Sequence, residues 1–68
     1  MNISNALAYF TCLRRESETA DRLAIMTISA VKRGLTEPLS AYNRVKTASL
    51  LQTRVLEAYS YYLSLKGE

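Results

Sequence analysis

The chain has 68 residues, of which nine are lysine or arginine and six are aspartate or glutamate, so its net charge is +3. A chain of this length forms one domain of marginal stability, because it buries only about 60% of the surface that its unfolded form exposes. One cysteine and no histidine exclude an intrachain disulfide and a zinc site, so we expect no metal, no cofactor and additional support from a protein partner.

The first predicted element is an amphipathic helix over about residues 3–14. Its apolar residues recur at helical spacing, and they are Ile3, Ala6, Leu7, Phe10 and Leu13. Cys12, between Phe10 and Leu13, is expected to be a small buried hydrophobe. No basic residue precedes the apolar part of "MNISNALAYF", so we expect no secretory signal and a cytoplasmic protein.

A second helix is predicted over 17–33, after the polar run "RRESE" at 14–18. Ser17 could cap a new helix there, or the first helix could continue through the run, and the sequence leaves both possibilities open. The apolar face of this helix comprises Ala20, Leu23, Ala24, Thr27, Ile28 and Val31. Its longest apolar run, "LAIMTISAV", has nine residues, whereas a membrane span needs about 20, so no span is predicted.

The strongest break signals fall in "RGLTEP" at 33–38. Gly34 can take the left-handed conformation that ends a helix, and Thr36 offers a cap for the next one. Pro38 is tolerated in a first helical turn, because its missing N–H would be unpaired there anyway. The sequence therefore predicts a turn at 34–36 and a chain that folds back on itself.

The last helix, predicted over 37–66, carries more apolar surface than one neighbouring helix can cover. One band of its surface comprises Ala48, Leu51, Val55, Ala58, Tyr62 and Leu65, and an adjacent band comprises Tyr42, Val45, Leu56, Tyr59 and Leu63. A contiguous exposed apolar patch generally marks a protein contact. The predicted partner-binding residues are Leu51, Val55, Leu56, Tyr59, Tyr62, Leu63 and Leu65. Alternatively, the N-terminal segment folds over the second band and completes a three-helix bundle.

The composition offers few side chains that could perform catalysis. The chain has no histidine and no glycine-rich phosphate loop, and the acidic residues Glu16, Glu18 and Asp21 are interpreted as a solvated helix junction. We therefore predict neither an enzyme nor a small-molecule substrate. A small nucleic-acid-binding regulator is an alternative, but Arg54 lies about 80° and Arg44 about 160° from Lys46 around their helix, which argues against a basic stripe.

The layout resembles that of a known family. A helix ending in "KRGL" is followed by Pro38 and Tyr42, and then by one long helix with an aromatic and aliphatic end. This arrangement, over roughly 17–66, resembles the small co-chaperones of type III secretion needle subunits, the family that includes the Yersinia E-type protein. The stretch 3–13 is more apolar than in that family, and a tyrosine cluster replaces the terminal tryptophan or isoleucine-rich end of some members.

The resemblance implies a helical hairpin, with Gly34 in its turn, that packs on a larger tetratricopeptide-like chaperone and keeps the needle subunit monomeric in the bacterial cytosol. The overall prediction is an all-α antiparallel hairpin of two long helices, with a possible separate short N-terminal helix, that acts as a non-enzymatic protein-binding module. A self-assembling needle or rod subunit is an alternative, and so a homo-oligomer remains possible.

Overall fold

The computed structural model describes residues 2–67 and contains two helices, α1 (Ile3–Lys32) and α2 (Pro38–Lys66). They pack side by side along their lengths as an antiparallel hairpin whose Cα atoms extend over 50 × 15 × 14 Å. The described residues include no strand. The predicted all-α helical hairpin is confirmed.

Helix α1 runs without interruption through the polar segment 14–18, so the N-terminal helix is not a separate element. The side chain of Asn2 caps its start, because its Oδ1 accepts a hydrogen bond from the N–H of Asn5 at 2.8 Å. Within the polar segment, Arg14 and Glu18 form an i,i+4 ion pair of 3.7 Å, and Ser17 is buried. The N-terminal segment therefore does not fold over α2 as a third helix, and the three-helix alternative is wrong.

Backbone hydrogen bonds around Gly34 end α1 in a Schellman motif. Gly34 has the left-handed φ of +73°, as predicted, and its N–H donates to the carbonyl of Val31 at 3.0 Å. The N–H of Leu35 donates to the carbonyl of Ala30 at 2.9 Å. These two bonds satisfy carbonyls that the end of a helix would otherwise leave unpaired.

The start of α2 differs from the prediction at one residue. Pro38 occupies the first helical turn as expected, but the N-cap is Glu37, which has φ −82° and ψ 148° and makes no side-chain capping bond. The ring of a proline pushes the preceding residue into the extended region, so the helix boundary falls at Glu37. The prediction that Thr36 caps α2 is therefore wrong, and its hydroxyl instead lies 3.4 Å from that of Ser40.

The two helices meet along a seam of residues spaced alternately three and four apart, which is the pattern of a coiled coil. Ala30 and Leu63 are half-buried beside the seam, but the other buried and half-buried residues of the helices follow this spacing. In α1 they are Ala6, Phe10, Leu13, Ser17, Ala20, Ala24, Thr27 and Val31; in α2 they are Ala41, Ala48, Leu51, Val55, Ala58 and Tyr62. Most of the buried members are alanines, so the seam brings the helices together without burying many large side chains.

The hairpin consequently exposes more surface than a compact protein of its size. Its accessible surface is 5199 Å², whereas a compact monomer of 7.7 kDa exposes about 4,300 Å². Its radius of gyration is 15.3 Å, against about 11 Å for a compact chain of this length.

Cys12 is exposed, contrary to the prediction, because it lies between the seam positions Phe10 and Leu13 and points away from α2.

Candidate protein-binding surfaces

The seam divides the rest of the hairpin into two long sides, because in a helix each residue turns about 100° from its predecessor. We call them the front side and the back side. The exposed large apolar residues of the front side are Leu7, Ile25, Ile28, Tyr42, Val45, Leu56 and Tyr59. Those of the back side are Tyr9, Leu23, Met26, Leu50 and Tyr61, whereas the exposed Leu65 continues the spacing of the seam after Tyr62.

The front side has an apolar patch at each end and a polar centre. At the open end, where the chain termini lie, the ring of Tyr59 packs across the seam on that of Phe10, with a centroid distance of 5.1 Å. Near the turn, a shallow groove of about 350 Å³ runs between Ile25 and Ile28 of α1 and Val45 of α2. The polar centre between the two patches contains Arg14, Glu18, Asp21, Ser49 and Gln52.

The back side has a groove at the open end of the hairpin. This groove has a volume of about 290 Å³ and is lined by Tyr9 of α1 and by Arg54, Glu57, Ala58 and Tyr61 of α2. Two tyrosine rings and two oppositely charged side chains therefore surround the small buried Ala58. Tyrosine and arginine are enriched among the residues that contribute most to protein interfaces, because each combines apolar contact area with hydrogen bonding.

The structure distributes the seven predicted partner-binding residues between the seam and the front side. Leu51, Val55 and Tyr62 lie half-buried in the seam, where they contribute to the hairpin itself. Leu56 and Tyr59 are exposed on the front side, and Leu65 is exposed at the end of the seam. Leu63 is half-buried beside the front side. The predicted set is therefore not one continuous surface.

Tyr62 has contacts within α2 as well as its place in the seam. Its ring centroid lies 6.5 Å from that of Tyr59, and the Nζ of Lys66 lies 5.5 Å from the Tyr62 centroid, a cation–π geometry. A substitution at Tyr62 would therefore perturb the hairpin together with any partner contact.

Several exposed residues were missing from the predicted set, above all Tyr9, Ile25, Met26 and Tyr61. The signal that could have found them is the strict three-and-four spacing of the seam residues in α1. That spacing assigns Ile25 and Met26 to the outside of the hairpin, although the longest apolar run of the sequence contains both. The position of a residue relative to the seam spacing therefore predicts its exposure better than its place in an apolar run does.

The basic residues are not gathered into one surface. Arg54 lines the groove at the open end, Arg44 lines a cavity near the turn, and Lys46 points outward on the exposed face of α2. Within residues 2–67, no three potential metal-ligating side chains of His, Cys, Asp or Glu lie together. Over that same part of the chain, neither helix carries an apolar stretch that could cross a bilayer.

The fold and these surfaces define a class of protein: a two-helix hairpin with an alanine-rich seam and two exposed, partly apolar sides. Comparison with protein-family models, curated proteins and solved structures finds no match to this chain.

Proposed function

We propose that the chain is a non-enzymatic protein-binding module, a co-chaperone or adaptor that packs against a larger helical protein in the cytoplasm. The observation that carries this proposal is the large apolar surface that the hairpin leaves exposed. Among the described residues, no large side chain is fully buried, and sixteen large apolar residues are exposed. Because exposed apolar area costs free energy that a partner can recover, the hairpin gains stability when bound.

The back side is the surface that we assign to the partner. Its groove between Tyr9 and Tyr61 is concave and open to solvent, and Arg54 and Glu57 lie at its edge. An apolar side chain projecting from a partner helix would fill the groove, while Arg54 and Glu57 would each bond to polar groups of the partner. The resemblance to type III secretion co-chaperones suggests a tetratricopeptide-like chaperone as this partner and a needle subunit as the cargo.

Tyr61→Asp tests the proposal more cleanly than a change at Tyr62, because Tyr61 is 46% exposed and lies outside the seam. We expect the variant to keep its helical circular dichroism and to lose a helical partner that wild-type protein captures from cells that naturally express it. Purified partner should then bind the wild type at least about tenfold more tightly than the variant, as expected when an interface aromatic residue is removed.

Ser60→Asp is the matched control, since it adds the same charge one residue away on the outer face of α2, where Ser60 is exposed. This variant should bind the purified partner as the wild type does. Equal binding by Tyr61→Asp and wild type would contradict the assignment of the back side. Capture of nucleic acid instead of protein, weakening steeply with salt, would favour the regulator alternative.

A further inference from the structure

We infer that the front side is covered by a second copy of this chain, packed antiparallel on the first to form a four-helix bundle. In this dimer, a two-fold axis crosses the middle of the hairpin at right angles to its length, so α1 lies against α1 of the partner and α2 against α2. The inference goes beyond the proposed function, which concerns the back side. It depends on four features of the front side.

The first feature is a pair of opposite charges placed symmetrically about the middle of α1. The midpoint of Ile3–Lys32 falls between residues 17 and 18. Arg14 and Asp21 lie equally far to either side of it, and both are on the front side. When two copies of α1 cross antiparallel at this midpoint, each Arg14 faces the Asp21 of the other copy. The dimer therefore contains the same Arg–Asp contact twice, as an isologous interface requires.

The second feature is that five other front-side residues also meet suitable partners about this axis. Glu18, which lies beside the axis, is near its own copy and is ion-paired within its helix with Arg14. Leu7 and Ile28 are equidistant from the midpoint of α1, so each would meet the other across the interface. In α2 (Pro38–Lys66) the midpoint is Gln52, which faces its own copy and can pair amide with amide. Val45 and Tyr59 are equidistant from Gln52 and would form an aliphatic–aromatic contact.

The third feature is that the two midpoints lie at the same level of the hairpin. Phe10 of α1 contacts Tyr59 of α2, and Asp21 and Gln52 line the same groove. This register places residues 17 and 18 beside Gln52. One two-fold axis therefore serves both helices, as follows from their nearly equal lengths of 30 and 29 residues and the short turn that joins them.

The fourth feature is size. A side of the hairpin measures roughly 50 by 15 Å, or about 750 Å² if the unevenness of the side chains is ignored. This area is close to the about 800 Å² per partner of a standard interface.

A dimer whose two-fold axis runs parallel to the helices would cover the same area. In that arrangement, however, Arg14 would face the region of Leu56, and Asp21 that of Ser49, so no charge would meet its opposite.

A charge swap tests this dimer with the purified full-length chain. Sedimentation equilibrium over a dilution series should give twice the 7.7 kDa chain mass at high concentration. Arg14→Asp and Asp21→Arg, made singly, place like charges opposite each other and should each raise the dimer dissociation constant by about tenfold or more. The double variant exchanges the two charges and should return the constant to within about threefold of wild type.

Substitutions at two neighbouring residues test which side of the hairpin forms the dimer. Ile25 is 67% exposed on the front side and Met26 is 66% exposed on the back side, so aspartate at either position should be tolerated equally by the fold. Ile25→Asp should weaken the dimer, and Met26→Asp should not.

A disulfide test locates the axis, using a Cys12→Ser background that removes the native thiol. Gln52→Cys should form a covalent dimer on mild oxidation, because the two thiols face each other on the axis. Thr53→Cys, exposed on the outer face of α2, should remain monomeric on a denaturing gel.

Three results would overturn the inference: a monomer at every concentration, a charge-swapped double variant no better than the singles, or growth into polymers beyond the dimer. The last would favour the self-assembling subunit. None of these results bears on the partner proposed for the back side, because these measurements contain no partner and Tyr61 is unchanged in them.

Discussion

Gly34 shows how one residue can determine the path of the chain. With φ of +73°, it lets α1 end in two backbone hydrogen bonds and turns the chain toward α2. Apart from Gly34 itself and its two chain neighbours, no heavy atom lies within 4 Å of the position that a Cβ would occupy there. The requirement for glycine therefore comes from the backbone conformation alone, because a left-handed residue with a side chain is strained.

Gly34→Ala should destabilise the hairpin by about 1–2 kcal/mol, the cost of placing an L-residue in the left-handed region. In a domain of this size, each kcal/mol lowers the melting temperature by about 4–8 °C. Thermal unfolding followed by circular dichroism measures the loss. Gly67→Ala is the control: Gly67 has φ +82° and equally open surroundings but lies at the end of α2, where fraying relieves the strain. Equal melting temperatures for Gly34→Ala and wild type would contradict this account.

At the scale of the secondary-structure element, α1 is one helix because its seam runs unbroken through a polar segment. Ser17 lies in that seam between Leu13 and Ala20, and its small side chain is buried against α2. A serine at this point suggests a helix start when the sequence is considered locally. The packing of α2 along the whole of α1 stabilises the continuous helix instead, since tertiary contacts supply most helical stability.

The sign of the effect of Ser17→Ala distinguishes one helix from two. In a continuous helix the change should leave stability unchanged or raise it by up to about 0.5 kcal/mol, since alanine has the higher helix propensity. If Ser17 capped a separate helix, the same change would cost about 1 kcal/mol. Urea denaturation gives the difference. Asn2→Ala is the comparison, because Asn2 is the cap that the structure shows and its loss should lower stability.

For the whole molecule, stability depends on the balance between the small area buried in the seam and the large area left exposed. Between residues 2 and 67, the buried residues are alanines and a serine, with Leu13 as the exception. A core built from such small side chains gains little from burial, because the gain grows with the apolar area removed from water. The isolated hairpin should therefore be marginally stable and depend on association.

Leu13→Ala should cost about 2–5 kcal/mol, the range for deleting a buried leucine side chain, and should leave the isolated chain largely unfolded. Leu50→Ala, which makes the same chemical change at a residue 59% exposed, should have an effect within about 0.5 kcal/mol. Far-ultraviolet circular dichroism in a urea titration measures both variants. Similar midpoints for the two would show that the seam does not hold the hairpin together.

The sequence by itself determined the fold class, the turn and the surplus of apolar surface. Gly34 and Pro38 act through their own backbone restrictions, and helical spacing is a local property, so all three can be inferred without knowing what packs where. It did not determine the cap of α2, since Pro38 acts on Glu37 and displaces the boundary from Thr36.

Only the tertiary structure decided which apolar residues hold the hairpin together and which remain for a partner. Leu51 and Tyr62 have the same side chains as Leu56 and Tyr61, yet the first two are half-buried and the other two exposed. The difference lies in whether a residue is on the side of α2 that contacts α1. That side depends on the register between the two helices, whose facing residues are far apart in the chain. The front-side symmetry has the same origin, because Gln52 lies beside the centre of α1 only in the folded hairpin.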